Sequence, residues 1–294
     1  MSLVLSIMNI WQVDFYHHEV QPSNNKQWEL IICNASNNPQ SDRTTELDHK
    51  IEPIYTVQCP PEQANAGWLE KQILIAAAGK LPDKIQVFRP QLLGLIGVAI
   101  AKLNIKLEPT RNTENLKQVL RQKYQNHPNY NPLALEKPPP QPLPEELWGD
   151  RWQIANIAAG QIIDLFSDRP IPITRMPAEF FPINLNLTSD IFIPGIVIYG
   201  GNKSMLLARW IEQQNPTFIN YIPTSVGKSG GFVLETGLVD RWIFNTFESE
   251  SAATIAVNYE RKKQASKGLH FLLIQPDDSG MTTTAFWLLK STDF

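Results

Sequence analysis

Cysteine is scarce. The 294 residues contain only Cys33 and Cys59. Two thiols make no disulfide framework, so the fold rests on an apolar core. Both lie in predicted strands that can be neighbours, and both read as small buried residues. Histidine is also rare. His17 and His18 are adjacent on a predicted strand and point to opposite faces, and Asp48-His49 lies in a polar loop. No metal-ligand spacing results, and no cofactor is expected. A strong charge of one sign is missing too. The net charge of -3 excludes bulk attraction to nucleic acid or anionic lipid. No apolar run reaches membrane-spanning length. The longest, LLGLIGVAIAKL at 92–103, is too short for a bilayer. MSLVLSIMNIW at the start lacks a basic region and a small-residue cleavage site, and is expected to open the first strand. The expectation is a soluble, intracellular protein without membrane insertion.

A phosphate loop is absent as well, although TSVGKSGGFVLETG (224–237) imitates one. That loop needs a glycine five positions before Gly-Lys and a helix leading out. Here Ile222 stands at that position, and Phe232-Val233-Leu234 reads as a strand. The run is expected to be a hairpin or loop that binds no nucleotide.

Proline is abundant, and it clusters. NHPNYNPLALEKPPPQPLPEEL (126–147) contains Pro138, Pro139 and Pro140, which favour a stiff extended chain. The reading is a linker between domains at 1–125 and 148–294, with a docking motif for an SH3-like partner as the alternative.

The first half alternates as strands at 11–20, 28–33 and 54–59, an expected antiparallel meander. A helix near 64–78, a strand at 84–88, a buried helix at 91–103, a strand at 105–109 and a helix to about 125 follow. This order is that of a ribonuclease-H-like domain. Right-handed crossovers make its sheet partly parallel. The second half reads as strands near 191–200, 217–222, 231–236, 240–246, 269–275 and 284–290, with helices near 160–166, 203–214 and 251–268. The fold class is therefore α/β and α+β in two domains: an N-terminal ribonuclease-H-like mixed sheet with helices, and a C-terminal mixed α/β domain.

Three chemistries are open. Two-metal phosphodiester cleavage needs converging carboxylates. Asp14 on the first strand is one candidate, with Glu62 or Glu70 as a second, but Arg89 ends the fourth strand where another ligand is needed. Phosphate binding needs a basic face. Between Lys84 and Lys123 stand Lys84, Arg89, Lys102, Lys106, Arg111, Lys117, Arg121 and Lys123, opposed only by Glu108 and Glu114. Lys117 and Arg121 are four apart and share a helix face. Either they hold phosphates or the stripe is a solvated surface. Arg261, Lys262, Lys263 and Lys267 end a helix, where cations also complement the dipole. Trp242, Trp287, His270 and Phe271 are stacking candidates or core.

One series of stretches runs through both halves: WQVDFY (11–16), WELIIC (28–33), KIQVFRPQLLGLI (84–96), LEPTRNT (107–113), LWGDRWQIA (147–155), DRPIPI (168–173), GLVDRWIFNTF (237–247), KKQASKGLHFLLIQPD (262–277) and AFWLLK (285–290). It resembles the Tab-two-like family of cyanobacteria and chloroplasts. Two positions depart from the family pattern: Asn34 replaces an aspartate, and Asn112 replaces the second of two arginines. The resemblance implies a non-enzymatic RNA-binding factor that supports translation of photosystem mRNA, chiefly photosystem I. The expected partner is single-stranded A/U-rich RNA, and the basic runs above make Arg89, Arg111, Lys117, Arg121, Lys123, Arg261, Lys263 and Lys267 its candidate contacts. With no transit peptide expected, the chain resembles a bacterial, cytoplasmic member, with a peripheral place at the thylakoid left open. A scaffold for photosystem-assembly or ribosomal proteins is the alternative, and a metal-dependent nuclease is the third reading.

Overall fold

The structure is a computed structural model that describes residues 8–17, 27–35 and 51–291. His18, Asp48, His49 and the stretch 1–7, all weighed above, lie outside the described residues. The chain divides into two compact units, Met1–Glu136 and Lys137–Phe294.

The first unit begins with β1 (Ile10–His17), β2 (Trp28–Asn34) and β3 (Tyr55–Cys59). They form the expected antiparallel meander. Next come α1 (Ala66–Ala77), β4 (Lys84–Val87), α2 (Pro90–Ile100), β5 (Lys106–Pro109) and α3 (Glu114–Lys123). β4 joins β1 in parallel and β5 joins β4 in parallel, giving the order β3-β2-β1-β4-β5. The period of two sorts the side chains. Trp11, Val13, Phe15, Leu30 and Ile32 meet α1 and α2 in one core, whereas Ile31 and Cys33 meet α3 in another. Asn65 caps α1 by accepting from Trp68 N at 3.0 Å. The first turn of α3 is held from the sheet, because Leu116 N donates to Gln12 Oε1 at 3.0 Å. Cys33 and Cys59 are not neighbours. They belong to different cores on opposite faces of the sheet.

The second unit holds β6 (Gln141–Pro142), β7 (Arg151–Ala158), α4 (Ile162–Phe166), β8 (Ile173–Arg175), β9 (Phe192–Tyr199) and α5 (Ser204–Gln213). These are followed by β10 (Pro216–Ser225), β11 (Ser229–Thr236), β12 (Asp240–Glu248), α6 (Glu250–Ala265), β13 (Leu269–Gln275) and β14 (Ala285–Lys290). One mixed sheet runs β7-β9-β13-β14-β8, and a second runs β10-β11-β12-β6. One face of the five-stranded sheet packs on α5, α6 and the second sheet through Ile196, Leu272, Trp287, Phe232 and Tyr259. Its other face packs on α4 through Phe166, Phe271 and Phe286. Both units are mixed α/β, as the element order required. The strands that sequence reasoning did not assign are β7, at one edge of the five-stranded sheet, and the short edge strands β6 and β8.

Two expectations meet specific geometry. TSVGKSGG is the β10–β11 hairpin: Lys228 N donates to Ser225 O at 3.0 Å, Gly227 sits at φ 74°, and a strand leads out. The stretch 126–147 was expected to be a spacer and does not stand free. Leu133 and Leu135 pack on the first unit's α3 core, Leu143 and Leu147 are buried in the second unit, and Gln141–Pro142 pairs with β12. Leucines interleaved with the prolines supply the apolar contacts, and an extended proline-rich chain is compatible with a sheet edge.

Candidate nucleic-acid interface

Asp14 lies on the α3 face of β1 and is 1% exposed. Arg89, the residue immediately before α2, meets it there. Its Nε donates to Asp14 Oδ1 at 2.9 Å, and its two terminal nitrogens donate to Pro132 O at 2.5 Å and Ala134 O at 3.3 Å. The guanidinium also lies over Tyr16, 4.0 Å from the ring centroid. Arginine's planar fork suits this task, because its donors reach three acceptors from one fixed plane. Burial raises the Asp14 carboxyl above the ordinary aspartate value, and the neighbouring guanidinium works in the opposite direction. Glu29 on β2 is bound by Lys123. Among the described residues, no three His, Cys, Asp or Glu side chains are grouped to hold a metal ion. The one carboxylate at the nuclease position is thus tied to a cation.

The same geometry corrects the basic face. Arg89, Arg111, Lys117 and Lys263 are 2%, 6%, 5% and 0% exposed, so they are not surface cations. Lys117 is on the rim of the buried arc of α3 formed by Leu116, Val119 and Leu120, and its Nζ donates to Arg111 O. One helical turn later Arg121 has rotated past that rim and is exposed. The expected pair does not share a solvated face. Lys84 is paired with Glu108 at 2.9 Å, and Lys123 is paired with Glu29. Of the eight bases counted between 84 and 123, Lys102, Lys106 and Arg121 present exposed side chains without such a pairing among the described residues.

In the second unit Arg261 is exposed. Lys263 is enclosed, and its Nζ donates to Ile219 O at 2.7 Å, Glu260 Oε1 at 2.8 Å and Asn220 Oδ1 at 3.1 Å. His270 Nε2 accepts from Ile219 N at 2.8 Å. Its pKa is pushed down to about 3 by burial and by the Lys263 charge. Lys267 is exposed and donates to Leu185 O at 2.9 Å. The stacking candidates also divide. Trp287, His270 and Phe271 are core, and Trp242 is half-buried against Trp210. Exposed aromatics that sequence reasoning passed over include Phe192, 56% exposed at the start of β9, and Trp148, which is 46% exposed. The proline-rich signal beside it masked it.

The fold and these centres define a two-unit α/β protein whose first-strand carboxylate, Asp14, is buried in an ion pair with Arg89. Residues 10–123 match the family described as RNA-binding protein Tab2/Atab2 N terminal, and residues 130–290 match RNA-binding protein Tab2/Atab2, C-terminal domain. The chain belongs to this Tab2/Atab2 family. Similar proteins include Protein TAB2 homolog, chloroplastic, of Arabidopsis thaliana, 27% identical over 296 residues that cover 95% of this chain and 74% of the relative. A protein of the same description from Zea mays is 25% identical over 296 residues, covering 95% and 70%. Among the described residues no helix is long and apolar enough to cross a membrane.

Proposed function

We propose that this protein binds single-stranded A/U-rich RNA without cleaving it, and through that RNA supports translation of photosystem, chiefly photosystem I, mRNA. The observation that carries the reading is the match of both units, residues 10–123 and 130–290, to the two domains of an RNA-binding family. The chloroplastic description of the relatives supports the photosynthetic setting. The pairing of Asp14 with Arg89 supports a non-enzymatic role, since the guanidinium holds the carboxylate that a metal would need. Phosphate contacts then fall to exposed cations, chiefly Lys102, Lys106, Arg121 and Arg261, rather than to the buried four.

The test is a filter-binding titration with A/U-rich RNA at several salt concentrations, beside incubation of RNA and RNA–DNA hybrid with magnesium or manganese. Salt-dependent binding of intact RNA is expected. Cleavage abolished by Asp14→Asn would replace this reading with a nuclease. No RNA binding near physiological salt would favour a scaffold for photosystem-assembly or ribosomal proteins.

A further inference from the structure

The second unit contains a cavity of about 210 Å³. Two of the stretches that carry the resemblance, LWGDRWQIA and GLVDRWIFNTF, meet in its wall. The first contributes Trp148, Arg151 and Trp152, and the second contributes Phe244 and Asn245, while Phe232 lies on β11 between them. We propose that this cavity is a binding site for a single nucleobase of an RNA strand. The inference rests on the RNA-binding reading and adds the place and the chemical class of the contact.

Size selects the occupant first. The cavity holds the volume of about seven waters at ~30 Å³ each. It falls below the ~300–1,000 Å³ of sites for drug-sized ligands, which leaves room for one planar ring system. The walls select an aromatic face. Trp152 and Phe232 meet edge to face with centroids 5.6 Å apart, so the floor is fixed. Trp148 Nε1 donates to Leu143 O at 3.0 Å, which sets the plane of a half-exposed indole at the rim. A platform already held in place costs little entropy when a base stacks on it.

The polar groups select a nucleobase over an apolar side chain. The Asn245 amide has no hydrogen-bond partner among the described residues and lines the cavity. An amide presents a donor and an acceptor together, the pair that base edges complement. Arg151 is also at the rim. Its side chain is 55% exposed, pairs with Asp278 and lies 4.6 Å from the centroid of Tyr199. A guanidinium held there is available to the phosphate attached to an inserted base. The segment also needs its glycine. A Cβ on Gly149 would stand 2.7 Å from Ile198 Cγ2 and 2.9 Å from Tyr199 O, so only glycine lets the Trp148–Trp152 segment lie this close to β9.

The experiment uses the full chain and a short single-stranded A/U-rich oligonucleotide, intact or with one abasic residue at each position in turn. In wild type, one abasic position should weaken binding about 5- to 150-fold, the range of one stacked base. Trp148→Ala and Asn245→Ala should weaken binding of the intact strand, and in Trp148→Ala that abasic position should cost nothing more. Trp148→Phe should restore most of the affinity. The salt slope should not change in Trp148→Ala, because stacking releases no counterions. If wild type binds RNA and both alanine variants bind as tightly, the cavity is no base site and the RNA reading stands. If wild type binds no RNA, the RNA reading itself fails and the base site fails with it. If N-acetyltryptophanamide quenches or shields Trp148 and nucleoside monophosphates do not, the occupant is a protein side chain and the proposal is overturned.

Discussion

Each unit buries basic side chains, and the most enclosed of each, Arg89 and Lys263, are held differently. Arg89 in the first unit has Asp14 beside it at 1% exposure and donates to carbonyls of the 132–134 segment. Lys263 in the second has Glu260 beside it, but that carboxylate is 25% exposed, and two further oxygens come from β10. Arg89 therefore belongs to an ion pair with both partners out of water. Lys263 is a point charge that reaches a partly solvated acid at the end of α6. The lesson concerns cost. When a buried pair loses one member, the other is left as an uncompensated charge. When a cation beside a partly wet acid is removed, water can take its place.

The comparison predicts a ranking. Arg89→Ala should destabilise the protein by ~3–5 kcal/mol, because Asp14 is then left buried with its charge uncompensated. It also releases Pro132 and Ala134, so the proline-rich segment loses its anchor on the first unit. Asp14→Leu combined with Arg89→Met should recover most of that loss, since an apolar pair can replace a buried ionic one. Lys263→Met should cost less, ~1–3 kcal/mol, the range for leaving buried acceptors unsatisfied. Urea denaturation of the three variants checks the order. Equal losses for Arg89→Ala and Lys263→Met would remove the distinction.

The next effect is one of pH and belongs to the second unit. His270 Nε2 accepts from Ile219 N, Nδ1 lies 2.8 Å from Gly268 O, and Lys263 is close by. The ring is therefore neutral in the folded state, with Nδ1 carrying the proton. Its folded pKa of about 3 lies below the ordinary 6.5. The unfolded chain then takes up the proton first. Stability is fully present above pH 6.5 and is lost as pH falls from there towards 3. By pH 5 the loss from this group is ~2 kcal/mol, from ~1.4 kcal/mol per pH unit. Thermal unfolding between pH 7 and 5 should show it, and His270→Gln should flatten the curve in that window. An unchanged curve would mean that other groups set the acid limit.

Much of the fold was legible in the sequence. Period-two runs such as WQVDFY and WELIIC placed the start of β1 and both ends of β2 to within a residue, since a sheet buried on both faces leaves few other registers for Trp11, Val13 and Phe15; the expected end of the first strand, 18–20, lies outside the described residues. β6 and β8 escaped because two- and three-residue strands have no period to read; β7, eight residues long, was passed over as well, and its partly buried side chains give no clean alternation. The site was less legible. Sequence spacing places Lys117 and Arg121 on one side of α3, but it does not say where the buried arc ends, and that edge runs between them. Lys263 looked like a cation serving a helix end; whether a lysine tip meets water or Ile219 O depends on β10, 44 residues away in sequence. The cavity joins Trp148, just before β7 of the five-stranded sheet, to Phe244 and Asn245 on β12 of the four-stranded sheet, a proximity that no local pattern encodes.

The smallest expected effect on stability is the most informative about binding. Lys102, Lys106 and Arg121 are exposed, so replacing all three with alanine should shift unfolding by no more than ~0.5 kcal/mol per site. Lys117→Met, in contrast, removes a buried donor to Arg111 O and should register in unfolding. RNA titrations should reverse the order. Each phosphate contact on a single strand contributes ~0.7 to the slope of log affinity against log salt. If the three exposed cations each hold a phosphate, the triple variant should flatten that slope by ~2, evenly across sequences. Lys117→Met should leave the slope as it is in wild type, because an amine inside the core releases no counterion. Stability and salt slope measured on the same two variants therefore separate the cations that build the first unit from those that serve a ligand. A triple variant with the wild-type slope would move the phosphate contacts to the second unit, where Arg261 and Arg151 are among the exposed cations and the first to replace.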